Sequence, residues 1–148
     1  MESWRQSITS YNEEYEKLNR QIKHEYKQAG ELLTLHKPNA EIAKAINSVA
    51  KQLARLVELR SEGGWNYRGL KNFYERTVIE RKHEIMRTGK EKNLTEAMAY
   101  EEAVLASAKE FELLNLAQAY YDNVDGRFIA TKLLIESLQL RLSYGENP

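Results

Sequence analysis

The last third of the chain constrains its fold more than any other stretch. From Leu94 to Leu142 there is no proline and one glycine, Gly126. Residues suited to a buried seam stand at Ala117, Tyr121, Val124, Phe128, Thr131, Ile135, Leu138 and Leu142, at alternating spacings of 4 and 3. That alternation marks one face of a coiled-coil-type helix. It passes through Asp122-Asn123-Val124-Asp125-Gly126 without a change of phase. One glycine inside a helix costs only about 1 kcal/mol against alanine. The spacing therefore predicts a single helix over 93–144, of which about 45–50 residues would span roughly 70 Å at 1.5 Å per residue. A compact domain of 148 residues cannot cover such a helix. Its stripe needs the helical hairpin or another copy of the chain, and Tyr121, Val124, Phe128, Ile135, Leu138 and Leu142 are expected to drive homo-oligomerisation, with closed symmetry as the default.

The same pattern begins the chain. Ile8, Tyr11, Tyr15, Leu18 and Ile22 repeat at helical spacing, and a first helix is expected to run from about Ser3 to His36. Lys37-Pro38-Asn39 ends it, because proline disfavours helical geometry in the residue before it. Asn39 is a natural N-cap for a second helix, striped by Ile42, Ile46, Val49, Leu53, Leu56 and Leu59. Gly63-Gly64 is the clearest internal stop. Residues 1–62 thus form a long helical hairpin. Residues 63–92 form a Gly- and aromatic-containing basic segment with a short helix over about 67–88, closed by Gly89. Asn93, with Glu96 three residues on, fits the start of the final helix. The expected fold is a single all-α domain over 1–148, with coiled-coil-like packing and oligomerisation left to the final helix.

Only two prolines and seven glycines occur, which disfavours a turn-rich β fold. There is no cysteine, which excludes a disulfide scaffold, a Cys-ligated metal and a thiol nucleophile. No apolar run reaches the roughly 18 residues of a membrane span, and the polar start Met1-Glu2-Ser3-Trp4-Arg5 is unlike a signal peptide. A soluble, cytoplasmic chain without membrane partners is expected.

The balance of 22 basic and 22 acidic residues conceals a division. Residues 51–90 carry ten basic and five acidic residues, and residues 91–130 carry three basic and eight acidic. The basic centre combines Lys51, Arg55, Arg60, Arg68 and Lys71 with the rings of Trp65 and Tyr67. Cations that track phosphates, mixed with rings that stack on unpaired bases, are the requirements of single-strand binding. The alternative is a solvated face whose arginines pair with Glu75, Glu80 and Glu84, with Phe73 and Tyr74 in the core.

No catalytic or cofactor motif emerges. Glu80 and His83 form one Glu-x-x-His, where a di-iron bundle needs two and two further glutamates. Gly64-x4-Gly69-Leu70-Lys71 lacks the Gly-Lys-Ser/Thr of a phosphate loop. Asp122 to Gly126 fails the ligand spacing of a calcium loop. The chain reads as a non-enzyme with no metal and no cofactor.

On two stretches the chain resembles the small phage recombination mediators of the UvsY type. These are Lys51-Gln-Leu-Ala-Arg-Leu-Val-Glu-Leu-Arg-Ser-Glu-Gly-Gly-Trp65 and Ala103-Val-Leu through Ser137-Leu-Gln-Leu-Arg-Leu142. The resemblance implies a helical protein that loads a recombinase onto single-stranded DNA covered by single-strand-binding protein. Its DNA contacts would be Lys51, Arg55 and Arg60, with a C-terminal helical region driving assembly. Trp65, Tyr67, Arg68 and Lys71 join that set on their chemistry alone. Two other functions fit such a chain: a phage-type inhibitor or adaptor that binds a host-defence protein, and a structural coiled-coil assembly unit.

Overall fold

The computed structural model describes residues 1–34, 37–89 and 93–145, and these form four helices. They are α1 (Glu2–Thr34), α2 (Asn39–Thr88), α3 (Glu96–Ala106) and α4 (Ala108–Gly145). No helix among the described residues is long and apolar enough to cross a membrane.

α2 differs most from the expectation. It runs unbroken for 50 residues through Gly63 and Gly64, so the hairpin arm and the short basic helix are one element. The glycines are contact points. Gly63 is buried under the Tyr11 ring of α1, where an added Cβ would stand 2.6 Å from Tyr11 Cζ. Gly69 receives the edge of Trp4, with Cζ2 3.3 Å from that same position. The two missing side chains let aromatic rings of α1 settle onto the α2 backbone, which offsets the helix propensity they forfeit. Gly89 closes α2 as expected, its N–H bonding to Ile85 O at 2.7 Å.

Pro38 rather than Asn39 occupies the cap position before α2, and its carbonyl accepts from Glu41 N at 3.0 Å. Asn39 makes no side-chain cap and is already helical. His36 lies outside the described residues. At the next start the cap is Thr95, not Asn93: its hydroxyl accepts from Met98 N at 3.2 Å.

The final helix is also corrected. It continues through Gly126, but it breaks at Ser107, separating α3 from α4. No glycine or proline marks this break. Ser107 is fully buried, and its hydroxyl donates to Ala103 O at 2.7 Å, bending the ladder locally. Arg81 reaches across from α2 and takes the freed carbonyl of Ala106 at 2.9 Å.

α4 lies antiparallel to α2 and parallel to α1. Val124 packs with Leu56, Leu59, Tyr15 and Leu18, while Leu134 and Leu138 pack with Ala29, Ile42 and Val49. Tyr15 and Tyr26 donate to the carbonyls of Asn123 (3.4 Å) and Ala130 (3.1 Å), fixing the register of α1 on α4. Near the start of α1, Ile8 packs with Leu70, Leu113, Leu114 and Ala117. Beyond this point α2 is paired with α3 and the first turn of α4, through Tyr74 on Phe111 and Lys82 on Glu96.

This packing sets the heptad stripe against the chain's own helices. Val124, Ile135 and Leu138 are buried inside the chain's own core, and Tyr121, Phe128 and Leu142 are half-buried beside it. α1 and α2 together bury Val124, Ile135 and Leu138 and partly cover Tyr121, Phe128 and Leu142.

Candidate nucleic-acid interface

The seven residues singled out in the basic centre all lie on α2, a rigid element packed on two sides. Their positions around that helix separate them. Tyr67 is half-buried and packs with the cluster around Ile8 and Leu70. Arg60 turns to α4: its Nε is 2.6 Å from Asp125 Oδ1, and its guanidinium stands 4.6 Å from the centre of the Phe128 ring. Arg55 lines a narrow cleft with Glu14, Glu58, Leu59 and Glu62. Burial, and next the charge of Glu14, hold the Glu62 carboxyl above its usual range. Arg55 therefore already has acidic company. Lys51 is exposed, about four turns of helix before Trp65 on the solvent side.

Trp65 and Arg68 are brought together. Trp65 is 73% exposed, on the solvent side of the middle of α2. The Arg68 guanidinium lies 5.6 Å from the centre of that ring, and its Nε donates to Gly64 O at 3.2 Å. Lys71 is exposed one turn further on. Beside the pair, a shallow groove of about 200 Å³ runs between α2 and α4, lined by Val57, Arg60, Ser61, Gly64, Arg68 and Tyr121. Gly64 shapes this groove. A Cβ there would lie 3.7 Å from Tyr121 Cε2 and 3.8 Å from an Arg68 nitrogen, at ordinary contact distance.

The surface thus offers one free ring, a second half-buried ring, two exposed cations and one cation held by Asp125. Rings and cations at this spacing can stack a base and hold the phosphates that follow it. Tyr121 is the residue that sequence reasoning placed elsewhere. It joins Arg60 and Arg68 only through the packing of α4 on α2, and no local spacing signals that.

The other motifs resolve into helix. Gly64 to Lys71 is helical, so its backbone N–H groups are spent on the helix and form no phosphate cradle. Asp122 to Gly126 is helical as well. Glu80 and His83 line an open outer surface of α2 with Ile79, Glu84 and Arg87. A cleft of about 430 Å³ near the other end of the bundle is lined by Glu25, Gln28, Glu31, Glu41 and Lys44 with several apolar neighbours. Among the described residues no three His, Cys, Asp or Glu side chains group as a metal site.

No family model matches the chain, and no curated protein or solved structure matches it.

Proposed function

We propose that the protein is a non-catalytic, oligomeric accessory protein that binds single-stranded DNA along the outer side of α2. Trp65 stacks on a base, Arg68 and Lys71 hold adjacent phosphates, and Tyr121 flanks the groove. Lys51 extends the cationic track, while Arg60 supports the groove from its pairing with Asp125. The observation that carries this reading is the exposed Trp65 ring with the Arg68 guanidinium against it. In the role that the resemblance implies, the protein acts in the cytoplasm of an infected cell and helps load a recombinase onto strand covered by single-strand-binding protein.

Fluorescence anisotropy with labelled single-stranded and duplex DNA across a salt series tests this. Stacking on one base contributes about 1–3 kcal/mol, so Trp65→Ala should weaken binding roughly 5- to 150-fold. Arg68→Ala should lower the salt dependence by about 0.7 per lost phosphate contact. Equal affinity for duplex, or no binding at low salt, refutes the reading.

One observation favours a second reading. Where α2 is paired with α3, Ile79, Met86, Met98, Tyr100 and Leu105 are all more than 40% exposed. Such a surface suits an adaptor or inhibitor that docks on a host protein complex. A stoichiometric protein partner that survives nuclease treatment, and is lost on Leu105→Glu, would support that reading over the first.

A further inference from the structure

α4 is apolar on two opposite sides. Its inner side, with Val124, Thr131 and Leu138, is fully buried against the rest of the chain. Half a turn round, Ile129, Leu133, Leu140 and Tyr144 are 49, 57, 59 and 77% exposed. Their spacings of 4, 7 and 4 keep them within about 60° of one another on the helix surface. A row of large apolar side chains facing solvent marks an interaction surface. Charge along it is sparse, which disfavours a strongly charged partner. Lys132 and Glu136 stand on one edge, and neither makes an ion pair among the described residues.

The row is complementary to itself when reversed. Ile129 and Leu140 are equidistant from the midpoint between Leu134 and Ile135, so in an antiparallel pair each meets the other. Leu133 falls close to the two-fold axis and meets its own counterpart. Gly126 and Tyr144 are equidistant from Ile135. An added Cβ at Gly126 would meet nothing within 4 Å, so the position is open to receive a Tyr144 ring. Lys132 and Glu136 are equidistant from Leu134. An antiparallel two-fold keeps their edge facing the same edge of the other copy, so both ion pairs form between the copies. A parallel pair sets that edge against Ala130 and Ser137, where Lys132 finds no carboxylate, and it sets Gly126 against Gly126.

We infer that the outer face of α4 is a homotypic interface, closing an antiparallel two-fold dimer through Ile129, Leu133, Leu140 and Tyr144. The proposal rests on the oligomeric part of the function above and assigns it to the side of α4 opposite the heptad stripe. It leaves the Trp65–Arg68 surface of α2 outside the contact.

The full chain should elute with a mass of twice 17.3 kDa by light scattering at micromolar concentration. Leu133→Glu should return it to 17.3 kDa with unchanged helical circular dichroism, because this side chain is exposed in the single chain. The chain has no cysteine, so introduced thiols report cleanly. Ile129→Cys and Leu140→Cys proteins, mixed and oxidised, should cross-link to each other far more than Ile129→Cys does to itself. Lys132→Glu should weaken the dimer, and Lys132→Glu with Glu136→Lys should restore it. A wild-type mass of 17.3 kDa, a dimer that tolerates Leu133→Glu, or preferential self-linkage of Ile129→Cys would overturn the proposal. Single-stranded DNA binding by the Leu133→Glu protein is scored separately, so failure of the interface and failure of the nucleic-acid reading are told apart.

Discussion

Two adjacent glycines of α2 should respond to the same substitution with opposite sign. At Gly63 a new methyl group meets the Tyr11 ring, with Cζ only 2.6 Å away, and that ring is 2% exposed in the core. The ring cannot move into solvent, so α1 and α2 must part slightly. Overpacking of this kind costs about 1–3 kcal/mol. Alanine returns about 1 kcal/mol of helix propensity, leaving a net loss of up to about 2 kcal/mol. At Gly64 the nearest atoms lie 3.7 and 3.8 Å from the new Cβ, so nothing opposes the propensity gain. Gly64→Ala should raise the melting temperature by about 2–4 °C, and Gly63→Ala should lower it by up to about 8 °C. Thermal and urea unfolding followed by circular dichroism measure both. Tyr11→Leu supplies the control: in that background the penalty at Gly63 should shrink, with a coupling of about 1 kcal/mol or more. If the pair instead formed a turn between two helices, both alanines would destabilise. That outcome, or equal stabilisation by both, would refute the continuous helix and its contact with Tyr11.

Three further outcomes follow from the contacts. Arg81 donates to Ser107 Oγ and Glu110 Oε1, each at 2.8 Å, and Glu110 is buried, so Arg81→Ala strands a carboxylate and should cost about 1.5–2 kcal/mol in chemical unfolding. Pairing Arg81→Ala with Glu110→Gln should recover part of that loss. The hydrogen bond from Arg81 holds the Glu110 carboxyl below its usual range, so its stabilising effect is complete above the unfolded value of about 4.3 and is lost as pH falls through the folded value. Acid unfolding of Arg81→Ala should therefore show a shallower dependence in that window than the wild type. Gly30 has open space around its missing side chain, and Gly30→Ala should raise the melting temperature by a few degrees.

The sequence carried the helical class because the periodicity is long and the breakers are few. Gly126 was read through correctly, since the stripe kept its phase on both sides of it. Gly63-Gly64 misled because the glycine signal for a helix end is local, whereas the reason for Gly63 is the Tyr11 ring on another helix, far earlier in the chain. The break at Ser107 left no signal, because it depends on Arg81 reaching a carbonyl from another helix. The stripe itself was legible, and of the two covers it required, the hairpin or a second copy, α1 and the first part of α2 pack on it in the same chain. At the candidate interface, composition singled out residues that share one helix, α2. It could not distinguish Arg60, drawn to Asp125, from Arg68, left against Trp65 at the surface.

Trp65 offers the most direct test of the proposed function, because the only other tryptophan, Trp4, is half-buried against Gly69. In a Trp4→Phe background, emission reports Trp65 alone. Titration with oligothymidylate at low salt should quench that emission as the base stacks, and added salt should reverse it. Emission that stays unchanged while the same oligonucleotide binds, or an absence of binding at low salt, would contradict single-strand recognition at this surface.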